Sequence, residues 1–397
     1  MRKIILSSIA ALAMSSTAFA EVKIGNPMGL TGPIPDLVAP MAKAVDLAAK
    51  HVNEQGGLFA GGEKFTVVRA DSACDPVAAV DAVTKLININ LVSAIVGPVC
   101  SGSTIAQAES VSIPAGVVTL STSASSPAIS SMEKGTDLVF RAAASDAYQG
   151  IALAELTLAK GIKDIAVSYA NDDYNAAIAA VFAKAFTDLG GKVTANEAHE
   201  PSKASYRSEI ATLGATSDSL ALFAYYGSGG ITVMRNALET SAFKNFIGAD
   251  GMLSQEVIDQ LGAENLGGVT FTTSASDDST PAYGAWKALA DAASVPAADP
   301  FVPNAYDATF MIALAIEKAG SGDRDKIAGS LRSIANAPGE IILPGEFAKA
   351  KKILAAGGDI HYVGGAGPQD FDENGDVAGR FSKSVVKDGK WAAELIK

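Results

Sequence analysis

The 397-residue chain contains few of the residues that most enzymes depend on: two cysteines, three histidines and only 7% aromatic residues. The spacing of His51, His199 and His361 does not suggest a catalytic triad or a metal site. Walker-type phosphate loops and Gly-x-Ser-x-Gly nucleophile motifs are also missing. We therefore expect that the protein is not an enzyme and that it uses no metal and no cofactor.

Positive charge is also scarce. The chain has 31 Lys and Arg against 43 Asp and Glu, a net charge of −12. This balance argues against nucleic acid and against anionic membrane surfaces as partners. It suits a freely diffusing protein. The abundance of alanine and glycine favours close packing of helices on sheets.

Long apolar runs are missing beyond the N-terminus. Arg2 and Lys3 precede an apolar stretch at residues 4–14, which is shorter than the roughly 20 residues that span a bilayer. The small residues Ala18 and Ala20 flank Phe19, a pattern typical of a signal-peptidase site. We predict a signal peptide over residues 1–20, cleaved after Ala20, and an exported mature protein; a membrane anchor is the alternative.

Strand and helix patterns alternate along most of the mature chain. The predicted strands are apolar on both faces and the loops are short, which is typical of a parallel sheet covered by helices on both sides. The pattern restarts after residue 142, so the sequence predicts two α/β lobes. The first predicted strands span residues 22–26, 65–70, 93–96 and 117–120, and those of the second half span 165–169, 193–195, 220–224, 246–248 and 268–273.

Two hydroxyl-rich loops follow neighbouring strands of the first half. Residues 100–104 read Cys-Ser-Gly-Ser-Thr and open a predicted helix, and residues 121–126 contain four serines. Ligands of open parallel sheets bind at the carboxyl ends of strands, and hydroxyl groups beside a helix N-terminus favour anions. The pair of loops predicts a carboxylate site, whereas an ordinary serine cap and a plain polar loop are the structural alternatives.

The second half offers a carboxylate and aromatic side chains in the same kind of position. Asp250 lies between glycines after an apolar strand, and tyrosines follow two other strands. A carboxylate here could meet an ammonium group, although a turn is the commoner use of Asp before Gly. Taken with the hydroxyl loops, these residues favour a zwitterionic ligand, namely an amino acid.

The two cysteines, Cys74 and Cys100, each lie at the end of an apolar run. Cysteines in an exported protein favour a disulfide, and two buried free thiols are the alternative. Residues 370–375 match the first half of a calcium loop, but Phe381 occupies the position that needs a glutamate. The same Asp-x-Asn-Gly pattern favours a turn, which we expect to join residues 369–371 to a strand over 381–386.

Through five segments, at residues 30–34, 53–58, 71–76, 97–104 and 365–375, the sequence resembles a known family, the periplasmic leucine/isoleucine/valine-binding proteins of ABC transporters. The similarity covers nearly the whole mature chain. It is carried by residues 71–76 (Asp-Ser-Ala-Cys-Asp-Pro), by residues 97–104 (Gly-Pro-Val-Cys-Ser-Gly-Ser-Thr), by residues 365–375, and by residues 30–34 and 53–58.

The resemblance implies a type I periplasmic binding protein fold: two doubly wound parallel-sheet α/β lobes joined by three crossovers. Lobe 1 would hold residues 21–144 and 274–367. Lobe 2 would hold residues 145–273 and 368–397.

The resemblance also implies specific residues. A disulfide would join Cys74 to Cys100. Ser101 would bind the ligand carboxylate, and Asp250 would bind its ammonium group. The remaining implied ligand-binding residues are Ala124, Ser125, Tyr174, Tyr226 and Phe301.

Four departures from the family pattern are visible in the sequence. Leu37 stands near the position of an aromatic residue that usually covers the ligand, and Asp250 replaces a glutamate. The loop at residues 227–230 is shorter than in the family, and the segment at residues 343–360 is longer. These changes affect which ligand side chain we expect the pocket to prefer more than they affect the expected site for the ligand's carboxylate and ammonium groups.

The resemblance therefore implies a monomeric periplasmic solute-binding protein that captures an aliphatic amino acid and passes it to the membrane permease of an ABC importer. The alternatives are a carrier of another small zwitterion, an amide such as urea or an aromatic acid, and a ligand sensor. A hydrolase is disfavoured, because no histidine or lysine is placed to activate Ser101.

Overall fold

The computed structural model describes residues 21–133, 135 and 137–396, so the predicted signal peptide lies outside the described residues. The strands are β1 (Glu21–Met28), β2 (Lys64–Asp71), β3 (Ala94–Val96), β4 (Thr119–Ser121), β5 (Val139–Arg141), β6 (Asp164–Ala170), β7 (Lys192–His199), β8 (Ser219–Phe223), β9 (Asn245–Gly248), β10 (Val269–Ala275), β11 (Glu340–Ile342), β12 (Ile360–Gly364), β13 (Gly367–Pro368), β14 (Arg380–Lys387) and β15 (Lys390–Leu395).

The α-helices alternate with these strands. They are α1 (Pro35–Glu54), α2 (Pro76–Asn88), α3 (Ser101–Gln107), α4 (Pro127–Ser131), α5 (Asp146–Ala159), α6 (Asp173–Asp188), α7 (Arg207–Gly214), α8 (Gly230–Thr240), α9 (Gln255–Leu261), α10 (Pro281–Ala292), α11 (Val302–Ala319), α12 (Arg324–Ala335) and α13 (Phe347–Ala355). A π-helical turn, Ala108–Ser112, extends α3, and 3₁₀ turns lie at Tyr226–Ser228, Asp250–Met252 and Ala263–Asn265.

The first large sheet has five parallel strands in the order β2-β1-β3-β4-β5. Strands β3, β4 and β5 are buried along their whole length, because helices cover both faces of a parallel sheet. Helix α11 packs against α1 and beneath β3, and its residues from Val302 to Ile316 are all buried. The core of lobe 1 therefore lies between this helix and the sheet.

The second large sheet has seven strands in the order β15-β14-β10-β9-β8-β6-β7. Its strands from β10 to β7 are parallel, whereas β14 and β15 form an antiparallel hairpin beside β10. A small third sheet joins β11, β12 and β13. Parallel strands therefore dominate both lobes, which confirms the predicted fold class.

The strand partner predicted for residues 381–386 was wrong. We expected them to pair with residues 369–371, but β14 pairs with β10 on one side and with β15 on the other. The tight turn at Asp388-Gly389, whose residues both have positive φ, closes the β14–β15 hairpin. The turn at residues 372–376 forms as expected, and it connects strands of different sheets.

The chain crosses between the lobes three times: after β5 it enters the second large sheet, after β10 it leaves that sheet for helices α10–α13 and the small sheet, and before β14 it returns. We call these passages the first crossover (residues 142–145, after β5), the second crossover (residues 276–280, after β10) and the third crossover (residues 369–379, before β14). Among the described residues, no helix has the length and apolar character needed to cross a bilayer.

Candidate ligand-binding site

A small cavity of about 20 Å³ lies where the carboxyl ends of strands from both sheets face each other. Strand ends β3 and β4 contribute from lobe 1, and strand ends β6, β8 and β9 contribute from lobe 2. The cavity therefore has the position expected for a ligand of a parallel α/β sheet. It is lined by Ile34, Leu37, Val99, Cys100, Ser101, Ser123, Ser125, Tyr174, Tyr225, Asp250, Gly251 and Phe301.

The lobe 1 wall brings together the two hydroxyl-rich loops. Ser101 begins α3, and its Oγ accepts a hydrogen bond of 3.2 Å from the N–H of Ser126. Ser123 Oγ donates to the carbonyl of Val99 at 3.0 Å, which joins the loops a second time. Ser101 and Ser125 are both buried on the cavity wall. Hydroxyl groups held in this way can donate to an anionic oxygen.

A disulfide joins Cys74 to Cys100, with a Cα–Cα distance of 5.4 Å, which confirms the predicted pairing. Cys74 lies in the loop between β2 and α2, and Cys100 lies directly before Ser101. The bond therefore ties the loop that carries Ser101 to the neighbouring strand-to-helix loop.

The lobe 2 wall presents Asp250 within a set of polar contacts. Tyr174 donates through its hydroxyl to Asp250 Oδ1 at 2.6 Å, and Gln149 Nε2 donates to Oδ2 at 3.2 Å. Burial raises the pKa of Asp250 above its ordinary value, and these two hydrogen bonds partly offset that rise. Tyr174 is placed by Asp172, which caps α6 by accepting from the N–H groups of Tyr174 and Asn175.

A second acid, Asp146, was missed by the sequence reasoning. It is fully buried, and neither of its carboxylate oxygens has a hydrogen-bonding partner in the described part of the chain. Burial and the nearby charge of Asp250 raise the pKa of Asp146 well above its ordinary value. The nearby Ser125 hydroxyl opposes this rise in pKa, although it does not form a hydrogen bond with the carboxylate. The Asp146 N–H donates to the Ser125 carbonyl at 2.8 Å.

The sequence around Asp146 hides its relation to the site. Ser145 caps α5, so Ser-Asp at these positions has the pattern of an ordinary helix start. Only the fold shows that the first crossover carries Asp146 toward Asp250 and the hydroxyl-rich loop. Gln149, one turn further along α5, was missed for the same reason.

Two of the predicted site residues do not line the cavity. Tyr226 lies behind the wall, where its hydroxyl accepts the N–H of Asp36 at 3.0 Å, and Tyr225 takes the place on the wall. Tyr225 stacks on Tyr174 with ring centroids 5.5 Å apart. Ala124 is buried, and its N–H donates to Ser121 Oγ at 3.0 Å.

Phe301 lies on the cavity wall as expected, directly before α11. Its φ of 61° places a non-glycine residue in the left-handed region, a conformation that costs energy and is retained where the surroundings require it. Phe301 and Leu37 also line a second cavity of about 850 Å³ between the lobes. These two side chains therefore separate the small cavity from a much larger space.

The calcium-like segment forms a turn. Asp372 Oδ1 accepts the N–H groups of Asn374 and Asp376 at 2.8 and 3.0 Å. The Asp376 carboxylate is bound by Arg141. Among the described residues, no group of His, Cys, Asp and Glu is arranged to hold a metal ion.

The fold and the site between its lobes define a type I periplasmic binding protein. A family profile described as periplasmic binding protein matches residues 21–356. The chain is also 31% identical over 331 residues to the leucine-, isoleucine-, valine-, threonine- and alanine-binding protein of Pseudomonas aeruginosa, covering 82% of this chain and 86% of that protein. The chain therefore belongs to the periplasmic branched-chain amino acid-binding protein family, a family of solute-binding proteins.

Two further similarities extend over nearly the whole chain. The substrate-binding protein of a chemotactic signal transduction system of Halobacterium salinarum is 28% identical over 404 residues, covering 95% of this chain and 90% of that protein. The crystal structure of a leucine-binding protein of Thermotoga maritima matches with a TM-score of 0.78 at 24% identity, covering 94% of this chain and 98% of that one.

Proposed function

We propose that this protein captures an aliphatic α-amino acid in the periplasm and delivers it to the permease of an ABC importer. The observation that carries the proposal is that the two walls of the small cavity favour groups of opposite charge. Ser101 and Ser125 offer hydroxyl donors on one wall, and Asp250 offers a carboxylate on the other; Asp146 lies beside Ser125, close enough to Asp250 for the two charges to interact. A bound zwitterion would place its carboxylate on the first wall and its ammonium group on the second.

The remaining wall residues favour an apolar side chain on the ligand. Ile34, Leu37, Val99 and Phe301 surround the space between the polar walls, and all four are buried. An aliphatic side chain would gain roughly 0.8 kcal/mol for each methylene that it buries here. A urea-like amide or an aromatic acid would leave the two carboxylates without an ammonium partner, which is costly in a buried site.

The lobe boundaries and the leader belong to the same proposal. Strands within residues 21–141 form one large sheet, and those within 164–275 and 380–395 form the other. This supports two lobes near the expected bounds, lobe 1 at residues 21–144 and 274–367 and lobe 2 at 145–273 and 368–397, with β10 running on to Ala275 and β13 to Pro368. The Ala18 to Ala20 pattern supports cleavage after Ala20. We further propose that the mature protein is a monomer and that lobe closure presents it to the permease.

Calorimetric titration of the mature protein with leucine, isoleucine, valine, alanine and benzoate tests the ligand. We expect binding of the aliphatic amino acids and none of benzoate. The double variant Ser101→Ala with Asp250→Asn should lose at least about a hundredfold in affinity, since both headgroup contacts are removed. Ser279→Ala, a change to an exposed serine, is the matched control. Unchanged leucine affinity in the double variant would contradict the proposed site.

A sensory role is the second candidate, because one similar protein belongs to a chemotactic system. The ligand site would be the same in both cases, so binding data do not separate them. If a permease and an ATPase are encoded beside this gene, reconstituted uptake of labelled leucine with them would support transport. Binding to a receptor domain encoded there, without stimulation of any ATPase, would support sensing.

A further inference from the structure

A buried ion pair joins the end of β5, directly before the first crossover, to the third crossover. Arg141, the last residue of β5, is fully buried, and its Nε and Nη2 donate to Oδ1 and Oδ2 of Asp376, each at 2.7 Å. The Asp376 side chain is 9% exposed. Two parallel hydrogen bonds of this kind set both the distance and the orientation of the partners. The turn of the third crossover is therefore fixed against the end of β5.

The same guanidinium also holds the hydroxyl-rich loop of lobe 1. Its Nη1 donates to the carbonyl of Ser126 at 2.9 Å, and its Nη2 donates to Ser130 Oγ at 2.5 Å. The N–H of Ser126 in turn donates to Ser101 Oγ at 3.2 Å. A continuous chain of hydrogen bonds thus runs from Asp376 through Arg141 and Ser126 to Ser101.

We propose that Arg141 and Asp376 are positioning residues for ligand binding. Their ion pair holds the loop at Ser125 and Ser126 so that its hydroxyl groups and Ser101 can meet an anionic ligand group. It also fixes this loop relative to the third crossover, which connects the lobes. That the anionic group belongs to an amino acid rests on the proposed function, whereas the effect of the ion pair on the order of the loop does not.

The chain offers a matched control. Arg332 donates through Nε and Nη2 to Asp137, and through Nη1 to the carbonyls of Phe371 and Asp372 in the same third crossover. None of the hydrogen bonds that it makes within the described residues reaches the loop at 121–126. Asp137→Asn therefore weakens an Arg–Asp pair on the same crossover without touching the binding loop.

The first measurement needs no ligand. Hydrogen exchange of the folded protein, followed by mass spectrometry, reports on the amide of Ser126 in peptides that cover residues 121–131. Asp376→Asn should accelerate exchange in these peptides by about tenfold or more, because the loop loses its support. Asp137→Asn should leave it at the wild-type rate. Equal exchange in Asp376→Asn and Asp137→Asn would overturn the proposal.

The second measurement separates positioning from general destabilisation. Leucine and leucinamide share the ammonium group and the side chain, and only leucine has a carboxylate. Asp376→Asn should reduce the preference for leucine over leucinamide by about tenfold, since the carboxylate contacts are the ones disturbed. A purely structural effect would lower the folded fraction for both probes alike and leave their ratio unchanged, which would count against positioning. If the wild-type protein binds neither probe, the proposed function fails and the exchange rates alone decide on positioning.

Discussion

The acids at the site, Asp146 and Asp250, are buried close together, and their pKa values are raised by burial. Like charges in one site disfavour joint ionisation. An ammonium group placed beside them would favour the ionised forms. Ligand binding and proton release are therefore expected to be linked at this site.

This linkage predicts a pH dependence of affinity. As the pH falls toward the raised pKa values, the acids take up protons and lose their attraction for an ammonium group. We expect the dissociation constant for leucine to increase by about tenfold or more from about pH 8 to about pH 5. Calorimetry in two buffers of different ionisation enthalpy should show proton release on binding. Affinity and heat that do not vary with pH or buffer would contradict the linkage.

Removing the charge of Asp146 should have opposite effects on binding and on stability. Because its pKa is raised in the folded protein, ionised Asp146 lowers the free energy of unfolding as the pH rises. Asp146→Asn should weaken leucine binding by about tenfold or more and stabilise the ligand-free protein by roughly 1 kcal/mol at neutral pH. Thermal melting and calorimetry measure the two effects. Asp164→Asn, at an exposed strand start, should change neither, and joint loss of stability and affinity in Asp146→Asn would count against this role.

At the scale of single elements, strand β7 carries a buried histidine whose charge state couples stability to pH. His199 Nδ1 lies 2.9 Å from Ser168 Oγ, its Nε2 has no partner among the residues that the structure describes, and burial lowers its pKa to about 4. In the unfolded chain, His199 takes up a proton near pH 6.5, so stability is undiminished above that pH. In the folded protein the imidazole stays neutral, and the free energy of unfolding therefore falls by roughly 3 kcal/mol as the pH drops from about 6.5 toward about 4.

His199→Gln isolates this effect from that of the acids, whose contribution has the opposite sign. Urea unfolding at about pH 7.5 and about pH 5 should show a smaller loss of stability in His199→Gln than in the wild-type protein. Ser333→Ala, a change to an exposed serine on α12 that does not titrate, is the control and should follow the wild-type curve. Parallel stability curves for all three proteins would contradict the role of His199.

The success of prediction from the sequence also differs from one secondary-structure element to another. The alternation of strands and helices located the strand ends, so Ser101, Ser125 and Asp250 were expected on one site because they follow strands. Asp146 was missed because it follows a crossover and starts a helix. Tyr226 was expected only from the family resemblance; a 3₁₀ turn begins at Tyr226, and Tyr225 lines the cavity instead. The pairing of β14 was predicted wrongly because the sequence of β15 does not show that these two strands form a hairpin.

At the scale of the whole molecule, a few hydrogen bonds beside the site join the two lobes. The N–H of Gly227 donates to the carbonyl of Pro33 at 3.1 Å, and the N–H of Asp36 donates to Tyr226 Oη at 3.0 Å. Ser254 Oγ also donates to Asp36 Oδ2 at 3.3 Å. These contacts form only when the lobes are together, so they stabilise the closed arrangement without supporting either lobe alone.

Gly227→Ala should therefore impair closure. A Cβ atom at residue 227 would lie 2.5 Å from the Pro33 carbonyl oxygen, which belongs to the backbone of the other lobe and is not free to move aside. The clash exists only in the closed arrangement, so the ligand-free variant should melt at the wild-type temperature. Its affinity for leucine should fall by about tenfold or more, because binding must now work against a less favourable closed state.

Small-angle scattering with saturating leucine, together with calorimetry, checks this expectation. Wild-type protein should contract on binding, and Gly227→Ala should contract less at equal occupancy, since part of the liganded population stays open. Gly267→Ala is the matched control, because a Cβ atom there meets nothing within 4 Å. If Gly227→Ala contracts and binds like Gly267→Ala, closure does not bring Pro33 against Gly227. If it instead melts early without ligand, Gly227 supports lobe 2 itself and the contact with lobe 1 is secondary.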